Sequence, residues 1–163
     1  MNKLRLILGD QLNINHSWFK ENNSKITYVM MEVKEETSYV LHHAQKIIAT
    51  FAAMRFFAEQ LQQKGFEVIY FKINDKQNKQ SFYQNINKTI KEKNIGELQY
   101  LEPDEYRLST ELKKLESIEN IKVESVDTEH FLVPKLYAKD FFSEKKHWRM
   151  EEFYRNMRKK FSI

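Results

Sequence analysis

A chain of 163 residues is long enough for one domain with a real interior. Its hydrophobic fraction of 41%, with twelve Phe and eight Tyr, argues against disorder throughout. There is no cysteine, which excludes disulfides, Cys-ligated zinc and any iron–sulfur cluster within these residues and suits a reducing cytoplasm, the expected location. The net charge of +4 is uneven: residues 135–163 carry nine Lys/Arg against four acidic residues, so the first 134 sum to −1. Any case for nucleic-acid contact rests on that C-terminal segment.

In chain order, Leu4–Leu8 is an apolar run interrupted by Arg5 and ended by Gly9-Asp10, which reads as a buried strand and a turn. No small-residue cleavage site follows, so it reads as part of the fold rather than a leader. Asn13–Lys25 is polar around Trp18-Phe19 and reads as a loop. Ile26–Val33 is apolar on both faces, as a central parallel strand is.

Val40, Ala44, Ile47, Phe51, Met54, Ala58 and Leu61 repeat at steps of four and three, which predicts one long helix over 38–64. Thr37 or Ser38 is its expected cap, and Gly65 stands where a left-handed C-terminal cap belongs. Phe66–Ile73 is a third strand. Phe82, Ile86 and Ile90 make a helix over 80–94, and Leu98–Leu101 a fourth strand ending at Glu102-Pro103. A short helix over 107–117 and a fifth strand over 121–126 follow. Beyond Pro134 come a weak helix near 139–145 and a clearer one over Met150–Phe161.

Strands alternating with helices imply α/β architecture: a Rossmann-like, doubly wound, five-stranded parallel sheet with C-terminal linker helices. The expected division is 1–134 for the sheet domain and 135–163 for a basic helical linker. No stretch reaches the apolar length of a membrane span, so no membrane partner is expected. Three glycines in the whole chain leave no G-x-G-x-x-G or other phosphate loop.

Ligands of such sheets bind beyond the carboxyl ends of the strands. Strand one delivers Gly9, Asp10 and Gln11 there. Strand two delivers Met31 and Glu32, then Glu35 and Glu36. Strand four delivers Glu102 to Arg107. The rim is acidic, which favours a neutral heteroaromatic ring with N–H donors over a phosphate-bearing ligand. Glu36, Tyr39, His43, Ile47 and Thr50 follow at steps of three and four along one helix face, a semi-polar wall for a planar ligand. Bland roles compete at each position. Asp10 can order its turn, Glu36 can sit at a positive helix end, and the face can be ordinary core. His42 and His43 point about 100° apart on a helix, which argues against a shared metal. No G-x-S-x-G elbow supports a hydrolase, and no catalytic residue is assigned.

The C-terminal stripe of Met150, Phe153, Tyr154, Met157 and Phe161 lies beside Arg155, Arg158, Lys159 and Lys160. It suits packing on a neighbouring domain. Self-association through 150–161 and nucleic-acid binding are the alternatives.

Leu6-Ile7-Leu8-Gly9-Asp10-Gln11-Leu12, Met31-Glu32-Val33 with Glu36, and Ser38-Tyr39-Val40 followed by His42-His43 and Lys46-Ile47 come in a telling order. Ala53-Met54-Arg55-Phe56-Phe57-Ala58, Glu102-Pro103 with Tyr106-Arg107, His130-Phe131-Leu132 and Arg149-Met150-Glu151 with Phe153-Tyr154-Arg155 continue it. This ordered set resembles the N-terminal half of the deoxyribodipyrimidine photolyase-related proteins, the bacterial photolyase/cryptochrome branch that carries an iron–sulfur cluster. The resemblance implies an antenna domain for a light-harvesting chromophore such as 6,7-dimethyl-8-ribityllumazine. It implies a helical partner domain, absent from this chain, that holds FAD and a 4Fe-4S cluster and repairs or signals. DNA contact is then expected only of the whole protein. It also carries over Gly9, Asp10, Gln11, Met31, Glu36, Tyr39 and Thr50 as pocket residues, with Asp10 and Glu36 bonding the ring. Because the cluster cysteines are missing here, no repair chemistry is expected of these residues alone. The alternative is a non-catalytic interaction module with an empty pocket.

Overall fold

The structure, a computed structural model, describes residues 1–144 and 146–163. Five parallel strands form one sheet: β1 (Asn2–Leu6), β2 (Ile26–Met31), β3 (Glu67–Phe71), β4 (Ile95–Leu101) and β5 (Lys122–Val126). Their order is β3-β2-β1-β4-β5, with Leu4 opposite both Thr27 and Leu98. The chain therefore winds outward from β1 in one direction and then in the other, the doubly wound arrangement the alternating pattern predicts. The connections carry α1 (Lys34–Ser38), α2 (Ala44–Gln63), α3 (Phe82–Lys93) and α4 (Tyr106–Lys113).

Side-chain alternation along each strand sorts the interior into two layers. Leu4, Leu6, Val29, Met31, Leu98 and Tyr100 pack with Phe82, Ile86 and Ile90 of α3 and with Leu108 and Leu112 of α4. Ile7, Tyr28, Met30 and Leu101 pack on the opposite side with Met54, Phe57, Ala58 and Leu61 of α2. A polar residue on this second side is fully employed. Arg5 donates from Nε to Gln99 Oε1 at 3.0 Å and from Nη1 to Tyr28 Oη at 3.1 Å. Its guanidinium also covers the Trp18 ring, which stitches the 13–25 loop onto the sheet. That loop holds a 3-10 turn over Ser17–Phe19, with Trp18 buried.

The long helix predicted over 38–64 is two helices. α1 ends at Ser38, a turn covers Tyr39–Leu41, and α2 begins at Ala44. The cap of α2 is neither Thr37 nor Ser38 but His43, in extended backbone, whose Nδ1 accepts the Gln45 N–H at 3.3 Å. Val40, expected to begin the buried stripe, is half exposed, and Leu41 is fully so. The other end is as predicted. Gly65 has φ +85°, Phe66 N–H donates to Leu61 O and Gly65 N–H to Gln62 O, a Schellman cap closed by the packing of Leu61 and Phe66 in one cluster. Gly65→Ala is expected to cost about 1 kcal/mol, since a Cβ disfavours that left-handed backbone. Urea unfolding would show it as a lower midpoint with an unchanged slope.

The described chain divides into compact units at 1–128 and 129–163. The second holds α5 (Lys135–Phe142) and α6 (Met150–Phe161). α6 has the predicted bounds. α5 starts earlier than the helix expected near 139–145, and Lys145 lies outside the described residues. Phe142 stacks on Trp148 and Phe153, with ring centroids 5.5 and 5.8 Å apart, as a small aromatic core. The predicted α6 stripe is divided: Met157 is buried, whereas Met150 and Tyr154 are exposed. Among the described residues no helix is long and apolar enough to cross a membrane.

Candidate functional site

The carboxyl ends of the strands border a cavity of about 230 Å³ in the sheet unit. Its lining is drawn from six places in the chain: the turn after β1, the end of β2, α1 with its following turn, α2, the start of α3 and the start of α4. Leu8, Met31, Val33, Phe82 and Leu108 supply an apolar floor. Ile47, Phe51 and Met54 of α2 supply an apolar side. A volume just below the usual small-molecule range of about 300–1,000 Å³ suits a fused two-ring heterocycle rather than a dinucleotide.

One polar wall is built by a fork. Arg107 donates from Nη1 and Nη2 to the two carboxylate oxygens of Glu36, both at 3.0 Å. Its Nε also donates to Glu105 Oε1 at 2.8 Å. The guanidinium lies 3.8 Å from the centre of the Tyr39 ring, so it pairs and stacks at once. Its hydrogen bonds to Glu36, reinforced by those to Glu105, hold Arg107 above its ordinary pKa. The expected acidic rim is thus corrected. Arg107 offsets Glu36 and Glu105, and Lys46 of α2 also faces the cavity. Local charge counting failed because Arg107 reaches 71 residues back along the chain.

Asp10 is different. It is exposed at the mouth, and its carboxylate has no hydrogen-bond or ion-pair partner among the described residues. The turn after β1 is ordered instead by Gln11, which accepts the Leu8 N–H and donates to Leu101 O at the end of β4. Asp10 therefore has no part in holding its own turn.

Residues 5–163 match the family described as deoxyribodipyrimidine photo-lyase-related protein. The chain belongs to that family. A curated relative, the (6-4) photolyase of Agrobacterium fabrum (strain C58 / ATCC 33970), is 35% identical over 161 residues. The match covers 98% of this chain and 32% of that relative, so the chain spans about a third of the relative's length.

Within this photolyase-related chain, seven of the ten residues singled out in the sequence line the cavity: Gly9, Asp10, Met31, Glu36, Tyr39, Ile47 and Thr50. Gln11 is buried beneath the turn, with both ends of its amide engaged by backbone. Glu32 is wholly buried, and its oxygens accept from Arg55, Tyr70 and the Ile73 N–H. His43 caps α2, while its neighbour His42 lines the cavity. That exchange follows from the helix break. On a continuous helix His43 shares a face with Ile47; with the break, the chain turns before α2 and presents His42. The step of four from His42 through Lys46 to Thr50 was the available signal, and it was masked by the assumption of one unbroken helix.

Proposed function

We propose that this chain binds a small heteroaromatic chromophore in the cavity at its strand ends and serves as a light-harvesting antenna. The chromophore class is a ribityllumazine such as 6,7-dimethyl-8-ribityllumazine. It absorbs near-ultraviolet or blue light and passes the energy to FAD in a helical domain of a larger photolyase-related protein. That other domain would also hold the 4Fe-4S cluster, contact DNA and carry out repair or signalling in the cytoplasm. In this reading the residues of the present chain position a ring and break no bond.

The observation that carries the reading is the unpartnered Asp10 carboxylate at the mouth of an otherwise apolar-floored cavity. A carboxylate there accepts N–H donors of a heterocycle. Glu36 adds a second acceptor already oriented by the Arg107 fork. The flat Tyr39 ring beside them suits a planar ligand.

The test is spectroscopic. Purified protein, with the chromophore added where none co-purifies, is expected to show a stoichiometric near-ultraviolet band and to release a lumazine mass on denaturation. Asp10→Ala is expected to lower ligand affinity about 10- to 150-fold, the loss of one charged hydrogen bond at roughly 1.5–3 kcal/mol. Its thermal midpoint should stay near that of the parent, because Asp10 holds nothing else. Equal retention in Asp10→Ala and Glu36→Ala would remove the assignment, and a protein that refuses both lumazine and flavin would favour the interaction module.

A further inference from the structure

α6 has two unlike faces. On one, Met157 is buried, while Phe153 stacks on Phe142 and meets Phe141 and Tyr137 edge-on, so this side is occupied within its own unit. The other face is open to solvent and cationic. Glu151 and Glu152 lie in the first turn, and from Phe153 to Ile163 there are four Lys/Arg and no acidic side chain. The negative end of a helix favours bases in its last turn, by about 0.3–1 kcal/mol each. That accounts neither for Arg155, a turn earlier on the same face, nor for the way Arg158 is held.

Arg155, Arg158 and Lys159 stand at steps of three and four and line an open groove with Ile163. Ser162, at φ +56°, turns the chain back over it. Ile163 N–H then donates to Arg158 O, and Ile163 O accepts from Arg158 Nε, both at 3.1 Å. The guanidinium is thereby fixed with its Nη groups unengaged among the described residues. Arg155 is aligned by Glu151, one turn before it. Exposed Tyr154 adds a hydroxyl beside them, its ring centre 5.9 Å from the Arg158 guanidinium.

We propose that this face of α6 contacts the phosphate backbone of nucleic acid, without reading sequence, through Arg155, Arg158 and Lys159. A row of cations on one helix face complements a regular polyanion, and Arg forks fit phosphate oxygens. A helix that lies on a membrane must bury its apolar face in lipid, and that face of α6 is already packed. The contact is independent of the chromophore cavity and separate from the DNA contact assigned above to the other domain.

The experiment is a fluorescence-anisotropy titration of a labelled, random-sequence DNA duplex with the full chain at several salt concentrations. Three phosphate contacts give log K against log salt a slope of about −2.7, so a rise in salt of about fourfold lowers affinity about 40-fold. Arg158→Gln combined with Lys159→Gln leaves one contact, and the same rise then lowers affinity only about 3- to 4-fold. Lys113→Gln, at an exposed lysine at the end of α4, should leave the parent's slope unchanged. If the double variant's thermal midpoint falls, Lys159→Gln alone carries the test, with a slope about 0.9 shallower. No binding by the parent even at low salt would overturn the proposal, as would a parent-like slope in these α6 variants. Equal binding to phosphatidylglycerol vesicles, or equal competition by polyglutamate, would overturn it in favour of a membrane or an acidic protein.

Discussion

Arg55→Ala is expected to destabilise the sheet unit by about 3–5 kcal/mol, because it strips the counter-charge from a carboxylate that water cannot reach. Glu32 is 0% exposed, and each of its oxygens accepts twice. Oε1 takes Arg55 Nε at 2.6 Å and Tyr70 Oη at 2.8 Å, while Oε2 takes Arg55 Nη2 at 2.9 Å and the Ile73 N–H at 2.8 Å. The cluster joins the end of β2, the middle of α2 and the segment after β3. Burial alone would push the Glu32 carboxyl up. The donors, Arg55 foremost, outweigh it and hold the pKa below its ordinary value.

The sign of the pH dependence follows from that direction. A carboxyl whose folded pKa is depressed contributes stability above its unfolded value, and that stability is lost as pH falls through the folded value. In Arg55→Ala, burial is opposed by fewer donors and the Glu32 pKa rises. The stability that Glu32 contributes above its unfolded value then shrinks, so the variant's loss is larger at neutral than at acid pH. Glu32→Gln should cost less than Arg55→Ala, because Arg55, with a side chain 43% exposed, can be solvated when its partner's charge is gone. Urea unfolding at pH 5 and pH 7 tests both points. A loss below about 1 kcal/mol in Arg55→Ala would rank this cluster with ordinary surface pairs.

Gly9→Val should narrow the cavity from the turn after β1. A Cβ at Gly9 would stand 3.0 Å from Met54 Sδ and 3.1 Å from Thr50 Cγ2, tighter than ordinary contact before either Val methyl is added. The backbone conformation is not the obstacle; the close approach of the turn to α2 is. Gly9→Ala is expected to be mild, since the Met54 thioether end can swing aside. The two methyls of valine have no such outlet. They are expected to cost about 1–3 kcal/mol by overpacking. Lumazine affinity should also fall about 100-fold, or roughly 2.7 kcal/mol, as they enter the space between Thr50 and the turn. Thermal unfolding and a fluorescence titration measure the two effects separately. Undiminished binding by Gly9→Val would mean that the ligand does not occupy this cavity.

These two sites also show what can be read from sequence and what cannot. The strands follow from their short apolar runs, and α3 from a stripe whose burial repeats regularly on one face. The start of α2 does not. Val40 prolongs the apolar stripe, Thr37 and Ser38 are ordinary caps, and the cap actually used is an imidazole, outside the residues usually preferred there. Glu32 illustrates a second limit. A carboxylate at a strand end looks like a ligand group until its partner is located, and Arg55 lies 23 residues away on a helix. Gln11 was misread for the same reason, since its target is the Leu101 carbonyl across the neighbouring strand. Local pattern brought most of the lining together, whereas the division between ligand-facing and scaffold polar groups depends on contacts distant in sequence.

The break between α1 and α2 separates two stabilities in one unit. α1 buries no residue; it is tied down by Lys34 N–H on Gln80, Glu35 on the Phe82 N–H, and the Glu36–Arg107 fork. α2, in contrast, is anchored by Met54, Phe57, Ala58 and Leu61 in the core. Segments held by polar contacts at the surface open at far lower free energy than packed helices. The wall that carries Glu36 can therefore open and reclose many times during the lifetime of one folded molecule. Strengthening the core would leave the opening of this small segment unchanged.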